Sequence, residues 1–275
     1  MPARPDSPPT RALAWLYSPA AQRPPLALLC ALEREIGASL RAGLDHQVAH
    51  ARLDWWREEC ARLAQGEPAH PLTRELGALF APTQLTGVTG LVDTAVWDLA
   101  AATFGTRREV SGYCERWSAA MIEPLALRAA PQLAPGALRE LGTALGELEL
   151  LLALAPDARA GRLRLPLDEL EQAQTSPASL AQPPWPPELV SLVRERHRQL
   201  RSALAAAIAA LAPAVQASLR GILVWSAIAC AHSLRAQARL PDASLTRDHH
   251  APLDGWRAWR AARRADAGRG LPYTG

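Results

Sequence analysis

Apolar residues recur along most of this chain at the three- and four-residue spacing of a helix face, and hardly anywhere in the alternation of a strand. Leu28, Leu29, Leu32 and Ile36 mark one side of a helix predicted over Leu26 to Leu40. Asp45 is placed to cap a second, whose Val48, Ala51, Trp55 and Leu63 share a face while Arg52, Asp54, Arg57 and Glu58 fall mostly on others. Further helices are predicted over Leu85 to Phe104, Glu109 to Ala130 and Pro135 to Leu154. Two long ones come after them over Pro187 to Leu211 and Pro213 to Arg239, and their alanine-rich faces permit close approach. Before all of these, Arg11 to Tyr17 is expected as a short helical turn leading into a loop at Pro19 to Pro25. Pro156 disfavours helical geometry at Ala155, and Gly161 and Pro166 punctuate the next ten residues. Asp157 to Pro166 is therefore expected as a loop carrying Arg159, Arg162 and Arg164 at the mouth of a helical core, where an anion could be met. Pro177 to Pro187, around Trp185, is an exposed connector.

The pattern predicts an all-α fold, and residue usage agrees. Alanine, leucine and arginine dominate, whereas the strand formers valine, isoleucine, tyrosine and phenylalanine are scarce. A chain of 275 residues that is 49% hydrophobic can bury one large core. Three stretches are expected: residues 1–24 as an N-terminal extension and loop, 25–240 as the helical domain, and 241–275 as a basic tail rich in tryptophan and arginine.

Charge and cysteine usage narrow the function. The formal net charge is only +3, and all 30 basic residues are arginine, so no nucleic-acid partner is expected. Cys30, Cys60, Cys114 and Cys230 are widely spaced and read as core residues of a reducing compartment. Met1 to Thr10 has no apolar signal core, which makes cytoplasmic the expected location. The uncharged run Ser202 to Leu219 is interrupted by Pro213 and Gln216 and reads as part of a buried helix pair rather than a membrane span. His197 and His232 lack a histidine or carboxylate three or four residues on, so a core or surface role is expected over metal ligation; His249 and His250 fall in a polar loop.

No Gly-x-Ser-x-Gly, phosphate-binding glycine loop, HExxH or dinucleotide fingerprint is present. Cys114, near Arg116, is either a thiol of depressed pKa or a core cysteine. The acids are poorly spaced for joint work. Asp93 and Asp98 are a turn and a half apart, and Glu33 with Glu35, like Glu147 with Glu149, stand two residues apart on different faces. Asp98, in an apolar setting, needs a partner of opposite charge or a hydrogen-bond donor if buried.

Several segments nevertheless resemble one family. Arg52-Leu53-Asp54-Trp55-Trp56-Arg57-Glu58-Glu59 followed by His70-Pro71-Leu72-Thr73-Arg74-Glu75-Leu76 is similar to the bacterial branch of the squalene/phytoene synthases, as are Tyr113-Cys114-Glu115-Arg116 and the stretch Asp157 to Leu170. The tail, where Trp256 and Trp259 alternate with Arg257, Arg260, Arg263 and Arg264, resembles a terminus common among bacterial relatives. The resemblance implies an isoprenoid-synthase helical bundle, with Arg52, Trp56, Asp98, Tyr113, Arg116 and Arg162 as substrate-binding positions and with Asp98 orienting an arginine or a tyrosine in the core. It also implies two aspartate-rich motifs that hold magnesium diphosphate. Those motifs are eroded: the first falls at Gly37, Ala38 and Arg41, and the second keeps only Asp157. A rearranged catalytic set of Glu35, Glu149 and Asp157 is the remaining candidate, and no metal site is expected. Trp117 and Ala119 also replace smaller family residues and should fill space a prenyl chain would use.

Two functions stay open. One is a catalytically inactive relative, without cofactor, that binds a prenyl lipid or a protein partner, as in the degenerate branch that includes a respiratory-complex assembly factor. The other is an active magnesium-dependent transferase joining two prenyl diphosphates head to head. The tail has two readings of its own: tryptophans docked on the core with arginines in water, or Trp256, Trp259, Arg260, Arg263 and Arg264 laid on an anionic membrane or a partner.

Overall fold

The computed structural model describes residues 9–41, 43–134, 136–242 and 252–271. Among them lie fourteen α-helices and no strand, the all-α class that the periodicity predicts. The first three are α1 (Pro9–Tyr17), α2 (Arg23–Gly37) and α3 (His46–Gln65), and Asp45 caps the third as expected, accepting from Gln47 N and Val48 N at 2.9 and 3.2 Å. Gly66, at φ +85°, ends α3 in the left-handed conformation that glycine adopts without strain.

The chain then turns into α4 (Pro71–Leu79) and α5 (Gly90–Leu99). α5 is shorter than the predicted Leu85 to Phe104, and Ala101, at φ +47°, turns the backbone out of helical geometry just beyond it. Where one helix is predicted over Glu109 to Ala130, two form, α6 (Arg107–Met121) and α7 (Glu123–Ala129). Pro124 lacks the N–H needed to continue the ladder and instead opens the second.

α8 (Arg139–Leu152) leads directly into α9 (Leu154–Arg159), which corrects the loop expected from Asp157. Pro156 sits in the first turn of α9, where its missing N–H would have had no helical partner in any case. After α10 (Leu167–Gln172) come α11 (Pro187–Ala209), α12 (Pro213–Ser218), α13 (Arg220–Ala238) and α14 (Asp254–Asp266). The second predicted long helix is thus split at Leu219. His249 and His250 lie outside the described residues.

The main hydrophobic core runs from Ala14 to Leu271, so both α1, in the stretch expected as an extension, and α14, in the expected tail, share it, and a smaller cluster of Phe104, Val110, Tyr113, Cys114 and Leu150 stands beside it. α8 is central, packed by α6, α11 and α13. Its approach to α6 depends on glycine: a β-carbon at Gly142 would stand 1.8 Å from Ser118 Oγ, and one at Gly146 would stand 3.1 Å from Cys114 Cβ. Gly221 does the same for α1 on α13, where a β-carbon would meet Ser18 Oγ at 1.9 Å. That close seat brings Arg11 into the bundle.

α14 docks through alanines. Ala258, Ala261, Ala262 and Ala265 are buried, while Trp256 and Trp259 are each 51% exposed, which overturns the reading in which the tryptophans dock on the core. No described helix is long and apolar enough to cross a membrane. Cys30, Cys60, Cys114 and Cys230 are all buried and outside any disulfide, and burial pushes the Cys60 and Cys230 thiols up to about 12. His197 is buried 2.9 Å from Ser233 Oγ, and His232 lies 2.9 Å from Asp254 Oδ2.

Candidate functional site

A cavity of about 180 Å³ opens between α2, α5, α6 and α8. Its wall is apolar along Ile36, Leu91, Ala95 and Leu150, and charged where Arg11, Glu33, Glu149, Asp98 and Arg164 reach it.

Arg11 comes from α1 and stands between two carboxylates on different helices. Its guanidinium holds Glu33 of α2 through both terminal nitrogens, with Nη2 donating to Oε1 at 3.1 Å. Nη2 also lies 3.5 Å from Oε2 of Glu149 on α8. Two tryptophans complete the shell: Trp117 Nε1 donates to Glu33 at 2.9 Å and Trp225 Nε1 donates to Glu149 at 2.7 Å. The Arg11 guanidinium lies 5.0 Å over the Trp225 ring. Burial by itself would lower the Arg11 pKa, but Glu33 and Glu149 more than offset it and hold the group charged.

A second network sits beside the first. Arg164 makes a two-pronged pair with Asp98, Nη1 to Oδ1 at 2.7 Å and Nη2 to Oδ2 at 3.0 Å, and donates through Nε to Asp157 at 2.8 Å. Tyr113 donates to Asp98 at 3.2 Å, with the Arg164 guanidinium over its ring. Again burial opposes the charge, and Asp98, Tyr113 and Asp157 restore it. Arg162 holds the other oxygen of Asp157 at 3.1 Å. Four carboxylates therefore converge on this end of the bundle as two pairs, each bridged by an arginine.

A family model described as squalene/phytoene synthase matches residues 5–257. The chain belongs to the squalene/phytoene synthase family. Among solved structures it is similar to a dehydrosqualene synthase in complex with ligand, at TM-score 0.73 and 13% identity over 94% of this chain and 90% of that one. It is also similar to the squalene synthase HpnC of Alicyclobacillus acidocaldarius, at TM-score 0.64 and 18% identity over 83% of this chain and 88% of that one. No curated protein matches. At these identities the structural likeness establishes the isoprenoid-synthase fold alone.

Against that family pattern, the expected site residues divide. Glu149, Asp98 and Tyr113 line the cavity, and Asp98 has both of the partner types that its burial calls for. Asp157 stands just behind, reaching the cavity through Arg164. Glu35 does not reach it; its side chain is 46% exposed and lies 3.9 Å from Arg34. Arg52 is outside the cavity wall, and Trp56 packs edge-on to Trp55 and His70 at the α3–α4 corner. Arg116 lines a separate open groove with Glu115 and Arg139, and Arg162 contacts the site only by way of Asp157. Of the charged residues on the cavity wall, Glu33 and Arg11 are not among the expected site residues, and Arg164 is expected only as one of three loop arginines. A signal for Glu33 existed: it lies four residues after Leu29 and three before Ile36, on the same apolar stripe that faces inward. Arg11 had none, since its partners are 22 and 138 residues away.

The donor set does not fit the magnesium ions that the family implies. Among the described residues no group of three or more His, Cys, Asp or Glu side chains is placed to hold a metal ion. The acids nearest the need, Glu33 and Glu149, already surround a guanidinium, and Asp98 and Asp157 surround another.

Proposed function

We propose that this squalene/phytoene synthase-like chain does not condense prenyl diphosphates, and that it acts as a binding or assembly protein for a prenyl lipid or a protein partner, in the cytoplasm and without a cofactor. The observation that carries the reading is Arg11, whose charge is taken up by Glu33 and Glu149. Releasing a diphosphate in an apolar cavity needs cations free to meet it, and the two guanidinium groups that line this cavity are committed to carboxylates of the chain. Size also weighs against condensation and, within this reading, favours the protein partner over a prenyl lipid held in the cavity. At about 180 Å³ the cavity is smaller than the roughly 300–1,000 Å³ of pockets that take drug-sized ligands, and Trp117, packed edge-on against Trp225, forms part of its wall.

One observation favours the alternative, an active transferase: four carboxylates do approach one end of the cavity, with Glu149 and Asp157 among them. That reading needs Arg11 to withdraw so that magnesium can enter. Incubation of the full chain with farnesyl or geranylgeranyl diphosphate and magnesium separates the two. The expected result is no diphosphate release above the protein-free blank. Release that Asp157→Ala abolishes would establish the transferase.

A further inference from the structure

α14 has two faces of opposite chemistry. The inner one is alanine, buried against α13, α12 and α1, and it is anchored by Asp254, which is 2% exposed and accepts from Arg235 Nη1 at 3.0 Å and Arg257 Nη1 at 3.2 Å. The outer one carries Leu253, Trp256, Trp259, Arg260 and Arg263, all within about 60° of Trp256 at ~100° per residue. Leu253 is 57% exposed, and Arg260 stacks over the Trp256 ring at 5.4 Å. No acid falls on this stripe; Asp266, at its edge, is engaged by Arg220 at 2.9 and 3.1 Å.

The tryptophans are not needed to seat the helix, because the alanines do that. Left in water they cost free energy, since each presents half its surface. Indole and guanidinium share a design in which an apolar body ends in a polar tip, so both sit best where an apolar layer lies beneath a charged one. A stripe that combines them without an acid complements an anionic headgroup layer over acyl chains. The chain's positive net charge adds to the attraction, and no described helix is long and apolar enough to insert across a bilayer.

We infer that α14 lays its Leu253–Trp256–Trp259–Arg260–Arg263 stripe on an anionic lipid surface, holding the cavity-bearing bundle at a membrane whether or not that cavity is catalytic. The test is co-sedimentation of the full chain with vesicles of phosphatidylcholine alone and of phosphatidylcholine mixed with phosphatidylglycerol. Binding is expected only to the anionic vesicles and is expected to weaken with salt. Trp256→Ala with Trp259→Ala should reduce it by about tenfold or more, and each of Arg260→Gln and Arg263→Gln by about fivefold. Unchanged thermal unfolding identifies the variants that keep the fold; should the tryptophan pair unfold, the arginine pair carries the test. No binding to anionic vesicles, or binding that the folded variants leave intact, overturns the inference. So does a dimer in solution that Trp256→Ala and Trp259→Ala dissociate, because a second copy would then be what covers the stripe.

Discussion

Two acid sites in this molecule, one fully buried and one on the cavity wall, are satisfied in different ways. At the α3–α4 corner, Glu59 is fully buried and accepts from Ala69 N at 2.9 Å and His70 N at 2.8 Å, from the Thr73 hydroxyl, and from Arg62 Nε at 3.0 Å. In the cavity, Glu33 and Glu149 depend on Arg11, from a helix remote in sequence, and on two indole N–H groups. Backbone donors come with the turn and cannot leave it. An arginine side chain can be withdrawn or mutated without rebuilding the chain around it. The Trp-Trp and His-Pro segments that look most like the family thus brace a corner, since Trp56 and His70 pack there and Glu59 pins the intervening loop. The cavity acids, whose spacing looks least like the family, face the space where chemistry would occur.

The difference predicts unequal responses to substitution. Arg11→Met strands two cavity carboxylates and should cost about 3–5 kcal/mol in urea unfolding. Adding Glu33→Gln and Glu149→Gln should recover most of that loss, because neutral groups of the same shape no longer need a cation. A triple variant as unstable as the single one would mean that Arg11 acts by packing alone.

Glu59→Ala removes one acceptor from several donors at once, with an expected loss of about 2–4 kcal/mol. Burial would raise the Glu59 pKa, but the bonds from Thr73, His70, Arg62 and Ala69 outweigh it and hold the carboxyl below its ordinary 4.5. A depressed carboxylate contributes stability above its unfolded pKa and loses it as pH falls through the folded one. Acid unfolding should therefore be shallower in Glu59→Gln than in the unaltered protein, whose stability falls below about pH 4.5.

His197 adds a second pH effect of the same sign. Burial, with Arg201 nearby, pushes its pKa down to about 3 from 6.5. Between those values the unfolded chain binds the extra proton, so stability drops as pH falls below 6.5, by about 1.4 kcal/mol per pH unit. His197→Asn should remove that slope between about pH 6 and pH 4. The exposed pair Trp256 and Trp259 sets the small end of the scale, where alanine should shift stability by no more than about 0.5 kcal/mol.

The bundle was legible because its stripes are long. Leu29, Leu32 and Ile36 are buried as their spacing requires, and Asp45 caps the helix assigned to it. The break at Leu219 was not legible, because local propensity there is helical on both sides, whereas Pro124 marks the break at Ile122 and the predicted helix end at Leu154 falls within two residues of the one at Ala153. The family resemblance pointed Asp98 to an arginine or tyrosine partner, while which arginine, Arg164, was not legible. Glu35 stood in the candidate set instead of Glu33, although only Glu33 shares the inward stripe of Leu29 and Ile36. Arg11 depends wholly on tertiary structure. Only the seat of α1 on Gly221 brings it between α2 and α8.

Calorimetric titration of magnesium into the full chain at neutral pH reads most directly whether Arg11 supplies the charge that a divalent cation would otherwise bring to Glu33 and Glu149. If it does, the unaltered protein gives no saturable heat, and folded Arg11→Met gains a site that Glu33→Gln or Glu149→Gln removes. A saturable magnesium site already present in the unaltered protein, and lost in Glu33→Gln or Glu149→Gln, would contradict it.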